Sequence, residues 1–570
     1  MSIQFQGFIG PSYQLANRFA TIERTVNWML VANEAASEES KFKLAFEPSP
    51  GNQAFGELPV PATFNTPCRG LLENRGVAYG VNGEVVFSID SAGAYTNIGV
   101  VGNDDKPVSM VANGTGQILI ASAGAGYVIP AGGGAGSLVT AGAGFLGASY
   151  ATFQDGYIIV VTPNSNQYQI SGDDDTPLGD ARIWSVANVS IQAGQADLLV
   201  AVLSSREYLR LFGKRRSQIH YNIGSGGIGQ FPFQSYNETF IETGCAAPFS
   251  IANLSDSLVW IGEDARGQRA CWRDAAFQPS RVSTFAVEQI WQSYARVDNA
   301  VAFPYIWNGH LIYRVTFPTA TMLQIPVGTF PTWSDSTWVL DPTESAALGR
   351  PTAFLSSPAT EHAFPLGGDP TFQSATWEYD VTTSTLLGRP VWYERTYQTS
   401  LGYSLGRPEL FHCYCYGKHL VGSGGGDGNP GAIYQMANVG TRDQDPQLLL
   451  RWSNDGGNTF GTEQNIPLGL IGQYSKRVHW DRCGYSRDRV FWLRYAGETE
   501  CGTAIDGSQS QQAIVRDRIC PHVYNSNKRV VYNRIEFEVS RGVGSSDGTT
   551  PSTFTTGIVN AELDLTPLGS

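Results

Sequence analysis

No apolar run in this sequence is long enough to cross a bilayer. The longest, such as LLVAVL at 198–203, fall far short of the roughly 20 residues a spanning helix needs. The opening residues, MSIQFQGFIGPSYQ, have neither the basic start nor the apolar stretch that directs secretion. The expectation is a protein made and folded in a cytoplasm, without a membrane segment. Charge is also scarce, at 16% of residues, and its balance is acidic: 51 Asp and Glu stand against 38 Lys and Arg, a net −13. That excludes a chain that grips nucleic-acid phosphates by overall charge, though not passive contact with DNA. Eight cysteines scattered over 570 residues are too thin for a disulfide framework, so reduced thiols are expected, and the sequons at Asn188, Asn237 and Asn253 carry no meaning. The glycine-rich run at 131–149 lacks the Lys-Ser/Thr that closes a phosphate loop.

What the chain has instead is glycine, 64 residues, and aromatic side chains, 12%. One unit recurs: an alternating apolar run, a tight turn, then a second run, as in VAYGV-NG-EVVFSI at 77–89, where Asn82-Gly83 has the chemistry of a two-residue hairpin turn. Similar units begin near Ile118, Tyr157 and Leu199, roughly 40 residues apart, the period of a propeller blade. Later units, near Leu258, Leu311 and Phe411, are spaced as if interrupted by insertions. The pattern predicts an all-β fold, a β-propeller-like core of about six to seven blades with an extended N-terminal arm and inserted β elements. One helix is predicted at 284–294, where Val287, Ile290, Trp291 and Tyr294 recur at helical spacing. The expected organisation is an arm over 1–65, a propeller core with insertions over 66–436, and a C-terminal β region over 437–570 that forms closing blades or a small β domain. Loops are expected at 423–431 and 541–556.

RWSNDGGNTFG at 451–461 holds the spacing S-x-D-x-G-x-T-F in Ser453, Asp455, Gly457, Thr459 and Phe460. This is an Asp-box: short polar side chains bond the turn's own backbone, glycine permits the reversal and the aromatic tucks beneath. It reads as a structural staple. Sialidases also carry Asp-boxes, but across several blades and beside an arginine triad, and the sequence does not bring Arg273, Arg281 and Arg314 to one point. In HCYCYGKH at 412–419, Cys413 and Cys415 share one strand face and His412 the other, which favours buried thiols over a metal site. Lys214, Arg215 and Arg216 follow LFG at a hairpin turn, a solvated loop or a candidate contact with an acidic partner or DNA. No catalytic residue, cofactor or metal is expected.

Several segments together carry a resemblance: RTVNWML (24–30), CRGLLENRGVAYGV (68–81), REYLRLFGKRRSQIHYNIG (206–224), GCAAPFSIANLSDSLVWIGEDARGQ (244–268), RVSTFAVEQIWQSYA (281–295), FHCYCYGKHLVG (411–422), LLLRWSNDGGNTFG (448–461) and IGQYSKRVHWDRCGYSRDRVFWLRY (471–495). In this order they resemble the packaged-DNA stabilisation proteins of short-tailed bacteriophages, also described as tail-hub or tail-nozzle proteins. The resemblance implies a non-enzymatic virion protein of the phage tail. It implies a homo-oligomeric ring, typically hexameric, that docks below the portal on the head-to-tail adaptor ring. Such a ring carries tail fibre or spike proteins, and duplex DNA passes through it without sequence-specific binding. The chain departs from the pattern at 519–544, a block that follows the Asp-box unit instead of preceding it, and in the insertion at 497–518, where pairing of Cys501 with Cys520 stays open. The alternative is a carbohydrate-binding or sialidase-like β-propeller.

Overall fold

The computed structural model describes the chain apart from residues 1, 6, 36–42, 56–67, 173–179, 193–196, 225–230, 255, 264–266, 276, 323–332, 335–336, 339–371, 397–408, 424–432, 438–446, 469–474, 504–508, 526–527, 542–555 and 568–570. The expected loops at 423–431 and 541–556 lie almost wholly outside the described residues, as does the side chain of Cys501.

Six four-stranded antiparallel sheets, together with a four-stranded antiparallel stretch of a larger sheet, follow one another as the seven propeller blades. They occupy 68–100, 109–140, 150–191, 199–241, 252–281, 301–395 and 409–437, the last completed by Gly51–Ala54. Blades 1 to 5 are local meanders, and apolar alternation along their strands leaves two faces to bury against neighbours. Blades 1 and 2 bury Val81, Ile98, Ile118 and Ile120 together, and blades 2 and 3 bury Leu119, Val128, Ile158 and Val160. Phe212 of blade 4 meets Trp260 of blade 5 at 5.3 Å between ring centroids. The ring closes where the core around Cys68 and Phe87 of blade 1 meets Cys413 and Val421 of blade 7. The outer strand of blade 7 comes from the other end of the chain: Ala54 pairs with Tyr434 and Gly51 with Ala437.

The hairpin expected at Asn82-Gly83 turns one residue later. Asn82 pairs with Val85 and is fully buried, so the loop is Gly83-Glu84, and Gly83 alone takes the left-handed conformation, at φ 55°. A turn with glycine in its first central position needs only one such residue. The predicted helix forms as α1, Phe285–Gln292, capped by the Thr284 side chain accepting from the Val287 amide. Its Trp291 packs on Phe317 and Trp392, at 5.2 and 5.3 Å.

The C-terminal strands build a sandwich of two sheets. One contains Ser475–Asp481, Val530–Arg541, Thr556–Pro567, Leu44–Pro48 and Trp28–Ala32; the other runs Ile22–Val26, Gln509–Ile519, Asp488–Thr503, Gln447–Ser453 and Gln464–Pro467. Trp28, Phe46, Phe491, Tyr532 and Phe537 are buried between them. The second sheet is continuous with blade 6, because Val26 pairs in parallel with Glu394. The described part of the first 65 residues has no sheet of its own: Ser2–Gln4 pairs with Thr556–Pro567, the strands within 22–48 enter both sandwich sheets, and Gly51–Ala54 enters the propeller.

Asn27 is where the chain passes from one sandwich sheet to the other. It is fully buried at φ 57°. Its amide nitrogen Nδ2 donates to the carbonyls of Thr396 (2.9 Å) and Val515 (2.8 Å), its Oδ1 accepts from the Thr396 amide (3.0 Å), and its backbone N–H donates to Glu394 (2.9 Å). Asparagine tolerates the left-handed region better than other residues with a Cβ, which explains why it can occupy a junction that also demands a double hydrogen-bonding amide. Asn27→Ala is expected to lower unfolding free energy by about 3–5 kcal/mol, from left-handed strain plus unpaired buried carbonyls. Asn27→Gly, which removes the strain but not the lost bonds, should fall about 1–2 kcal/mol less. Urea titrations of the two variants beside the parent check both the size and the order.

Candidate functional site

The Asp-box lies between Gln447–Ser453 and Gln464–Pro467, in the sandwich and not in a propeller blade. Ser453 is buried, donates to Asp455 Oδ1 at 2.5 Å and accepts from the Gly457 amide at 2.9 Å. Asp455 accepts from the amides of Asn458 (3.0 Å) and Thr459 (2.9 Å) and from the Thr459 hydroxyl (2.5 Å). The Ser453 hydroxyl first, then the Thr459 hydroxyl and amide, hold the Asp455 carboxyl well below the usual carboxylate range. Phe460 packs edge-on against Trp492 at 5.1 Å, and the Arg451 guanidinium lies 3.4 Å over the Trp492 ring.

The turn also carries the N-terminal segment. Gly457 sits at φ 85°, where a Cβ would come within 2.2 Å of Ile22 Cδ1, and a Cβ on Gly456 would meet Phe19. Glycine here is required by close approach as well as by backbone conformation. Sequence reasoning finds the motif but not what rests on it, because Ile22 and Gly457 are far apart in the chain. Arg518 works alongside: fully buried, it donates to the carbonyls of Phe8, Pro11 and Gly7, to the Thr25 hydroxyl and to the Glu23 carboxylate. No periodic signal marks it, since its role depends on partners about 500 residues away.

The other candidate residues do not gather at one place. Lys214, Arg215 and Arg216 form the turn between Tyr208–Gly213 and Ser217–Asn222, and the Asp197 carboxylate accepts all three backbone amides at 2.9–3.2 Å. Lys214 and Arg215 are exposed, and Arg216 pairs with Glu242 at 2.8 Å. Arg273, Arg281 and Arg314 face three different carboxylates, those of Asp256, Glu288 and Glu378, so they form no triad. Cys413 and Cys415 are buried, while His412 and His419 stack with their ring centroids 5.2 Å apart and a nitrogen of each 3.0 Å from the other. No group of three or more metal-ligating side chains occurs among the described residues. A cleft of about 460 Å³ between α1, blade 6 and the N-terminal segment holds Arg24 and Glu394, which bond each other at 2.5–2.9 Å. What these arrangements supply is anchoring within the chain. No helix among the described residues is long and apolar enough to cross a membrane.

Two predictions follow from this chemistry. Ser453→Ala should destabilise the protein by about 1–3 kcal/mol, because it strands the Gly457 amide and removes a donor to Asp455, and any loss of assembly should track the loss of fold. A variant that melts like the parent but fails to assemble would make the turn an interface element instead. The second concerns acid. Burial pushes the His220 imidazole down to about 4. Burial, then the neighbouring His419, pushes His412 down to about 3. In the unfolded chain both titrate near about 6.5, so the unfolded state binds more protons below that value. The stability tied to keeping them neutral is complete above about pH 6.5 and is lost as pH falls towards about 4. Thermal midpoints measured across this window should decline, and His220→Gln should flatten the decline.

Comparison with known proteins bears on the whole arrangement. A family model described as bacteriophage P22 Gp10, beta-propeller, matches residues 61–334, over blades 1 to 5 and the start of blade 6. A second, described as bacteriophage P22 Gp10, beta-sandwich, matches residues 432–505, which include the Asp-box. No curated protein matches the sequence. Among solved structures, a catalytically inactive virginiamycin B lyase from Staphylococcus aureus with quinupristin is similar at 10% identity, covering 68% of this chain and 99% of that one, with a TM-score of 0.37. The WD40 domain of Neurospora crassa Pan2 is similar at 8% identity, covering 68% and 95%, with a TM-score of 0.36. The two family matches together span more than half of the chain, in the order in which propeller and sandwich occur, and on that ground the chain belongs to the bacteriophage P22 Gp10 family of phage tail proteins that stabilise packaged DNA.

Proposed function

We propose that the protein is a structural component of a short-tailed phage virion that forms a ring, typically of six copies, below the portal and its head-to-tail adaptor. In this reading it retains the packaged genome, lengthens the ejection channel, carries spikes or fibres on its flank and has no catalytic role. The supporting observation is the paired family match on a propeller joined to a sandwich through continuous backbone pairing at Val26 and Glu394. A body joined in this way can bear load between a head and its attachments without a hinge at the junction. The charge is compatible: a ring of copies each carrying −13 repels duplex phosphates, which lets DNA slide instead of adhering. The division into 1–65, 66–436 and 437–570 is proposed with it, the first part serving as the strap that ties the other two. The Asp-box turn serves in this scheme as a staple for that strap.

The reading is tested in a deletion lysate. Heads lacking the protein should fill with DNA and then lose it, and adding the purified protein to freshly filled, tailless heads should restore encapsidated DNA and plaque titre, because ring closure needs no covalent step. Heads that never fill would assign the protein to packaging. Heads that stay filled and infectious would remove it from genome retention.

A further inference from the structure

One end of the sandwich departs from the acidic character of the chain. Residues 471–541 contain twelve Lys and Arg against eight Asp and Glu, in a protein whose net charge is −13. Three aromatic side chains stand in solvent there: Phe19 is 67% exposed, Tyr485 60% and Tyr524 62%. Around them Arg18, Arg482, Arg487, Lys528 and Arg529 are exposed. Contacts tie Arg18, Tyr485, Tyr524 and Arg529 to their neighbours on this end. The Arg529 guanidinium lies 5.5 Å over the Tyr485 ring, Tyr524 pairs with Asp488 across two strands, and His522 bonds both the Asp488 carboxylate and the Arg18 carbonyl. Arg18 also reaches the Gly457 carbonyl at 3.5 Å. Asp488 is occupied by His522, and Asp481, beside Arg482, is occupied by Arg534 at 2.7 Å.

None of the five cations forms an ion pair with a carboxylate among the described residues, and exposed aromatic rings stand beside them. Unpaired guanidinium groups interleaved with exposed tyrosine and phenylalanine have the composition of interface hot spots. A duplex-facing surface would use the cations but not a two-thirds exposed phenylalanine. We propose that this basic and aromatic end is the surface by which one copy of the protein grips a carboxylate-bearing face of the next copy. Charge complementarity names the occupant: outside residues 471–541 each copy has 43 Asp and Glu against 26 Lys and Arg, so carboxylates outnumber cations over the rest of the chain that it offers a neighbour. A ring built head to tail needs two different patches per subunit, and this end is the basic one. The inference rests on the ring reading and adds the residues that hold the ring together.

The test uses the full chain with two paired substitutions, Arg487→Glu with Arg529→Glu, and Tyr485→Ser with Tyr524→Ser. All four side chains are solvent-exposed, so thermal midpoints should stay within a few degrees of the parent. Sedimentation at micromolar concentration and low salt should show the parent as a ring-sized species that dissociates as salt is raised. The charge-reversed variant should self-associate at least tenfold more weakly and the serine variant should also be weakened. A parent that remains monomeric, or a charge-reversed variant that assembles like the parent, overturns the proposal. A variant that assembles normally but loses binding to a short DNA duplex reassigns the surface to nucleic acid. Failure here leaves the retention assay untouched: if the wild-type protein restores filled heads while the variant assembles normally, the ring reading stands and only this surface is wrong.

Discussion

The structure depends on one crossing of the chain, at Asn27, among the several by which it moves between the sandwich sheets. A strand that leaves one sheet and enters the other must turn its backbone in a place closed to water, and every amide and carbonyl exposed by that turn needs a partner. Asn27 answers this locally, with a left-handed backbone and a side-chain amide that joins Thr396, beyond blade 6, to Val515 of the sandwich. The same few residues thereby fix the sandwich core, through the neighbouring Trp28, and the weld to the propeller, through Val26. Blades 1 to 5 are meanders with local contacts. That junction, with the buried cluster that Cys68, Phe87 and Val421 of the propeller share with Trp28, Phe46 and Phe537 of the sandwich, makes the two one object.

Around that crossing the protein uses buried arginine as a tether. Arg518 spends its donors on Phe8, Pro11, Gly7, Thr25 and Glu23, so that a charge held away from water is compensated in each direction. Arg69 does the same between blades 1 and 2, reaching the carbonyls of Lys106, Gly83 and Gly102, the Asp104 carboxylate and the Ser122 hydroxyl. A planar cation with five fixed donors suits loops that arrive with carbonyls pointing inwards, a geometry that lysine cannot satisfy at one point. Neither arginine has room left for a ligand, which places both on the structural side of the ledger.

Much of the fold is legible in the sequence because propeller blades are local. Alternation, glycine turns and the spacing near 40 residues mark strands whose partners are their immediate neighbours, and the helix at Val287, Ile290 and Trp291 shows its own period. Legibility fails where partners are distant. RTVNWML falls in the stretch expected to be an extended arm, and nothing in it says that its central asparagine divides two sheets. The turn at Gly83 lies one residue from its expected place because Asn82 stays paired and buried within its strand. The Asp-box is readable as a turn, yet its position in the sandwich, and the packing of Ile22 and Phe19 over its glycines, depend on tertiary neighbours. Lys214, Arg215 and Arg216 are readable as a basic turn, but the Asp197 carboxylate that organises their backbone is not.

The pairing of Ser2 with Asp564, and of Gly51 with Ala437, has a consequence for how the molecule is made. At about 5–20 residues per second, the ribosome needs roughly half a minute to two minutes to deliver the last strand after the first. Blades 1 to 5 can form one by one as they emerge, since each is complete within its own stretch of chain. The opening fifty residues cannot; Phe5, Phe8, Trp28 and Phe46, all buried, have no permanent home until the strands between 475 and 567 have been made. The order of folding therefore runs against the order of synthesis at both closures, and the strands at 2–54 wait for partners made several hundred residues later.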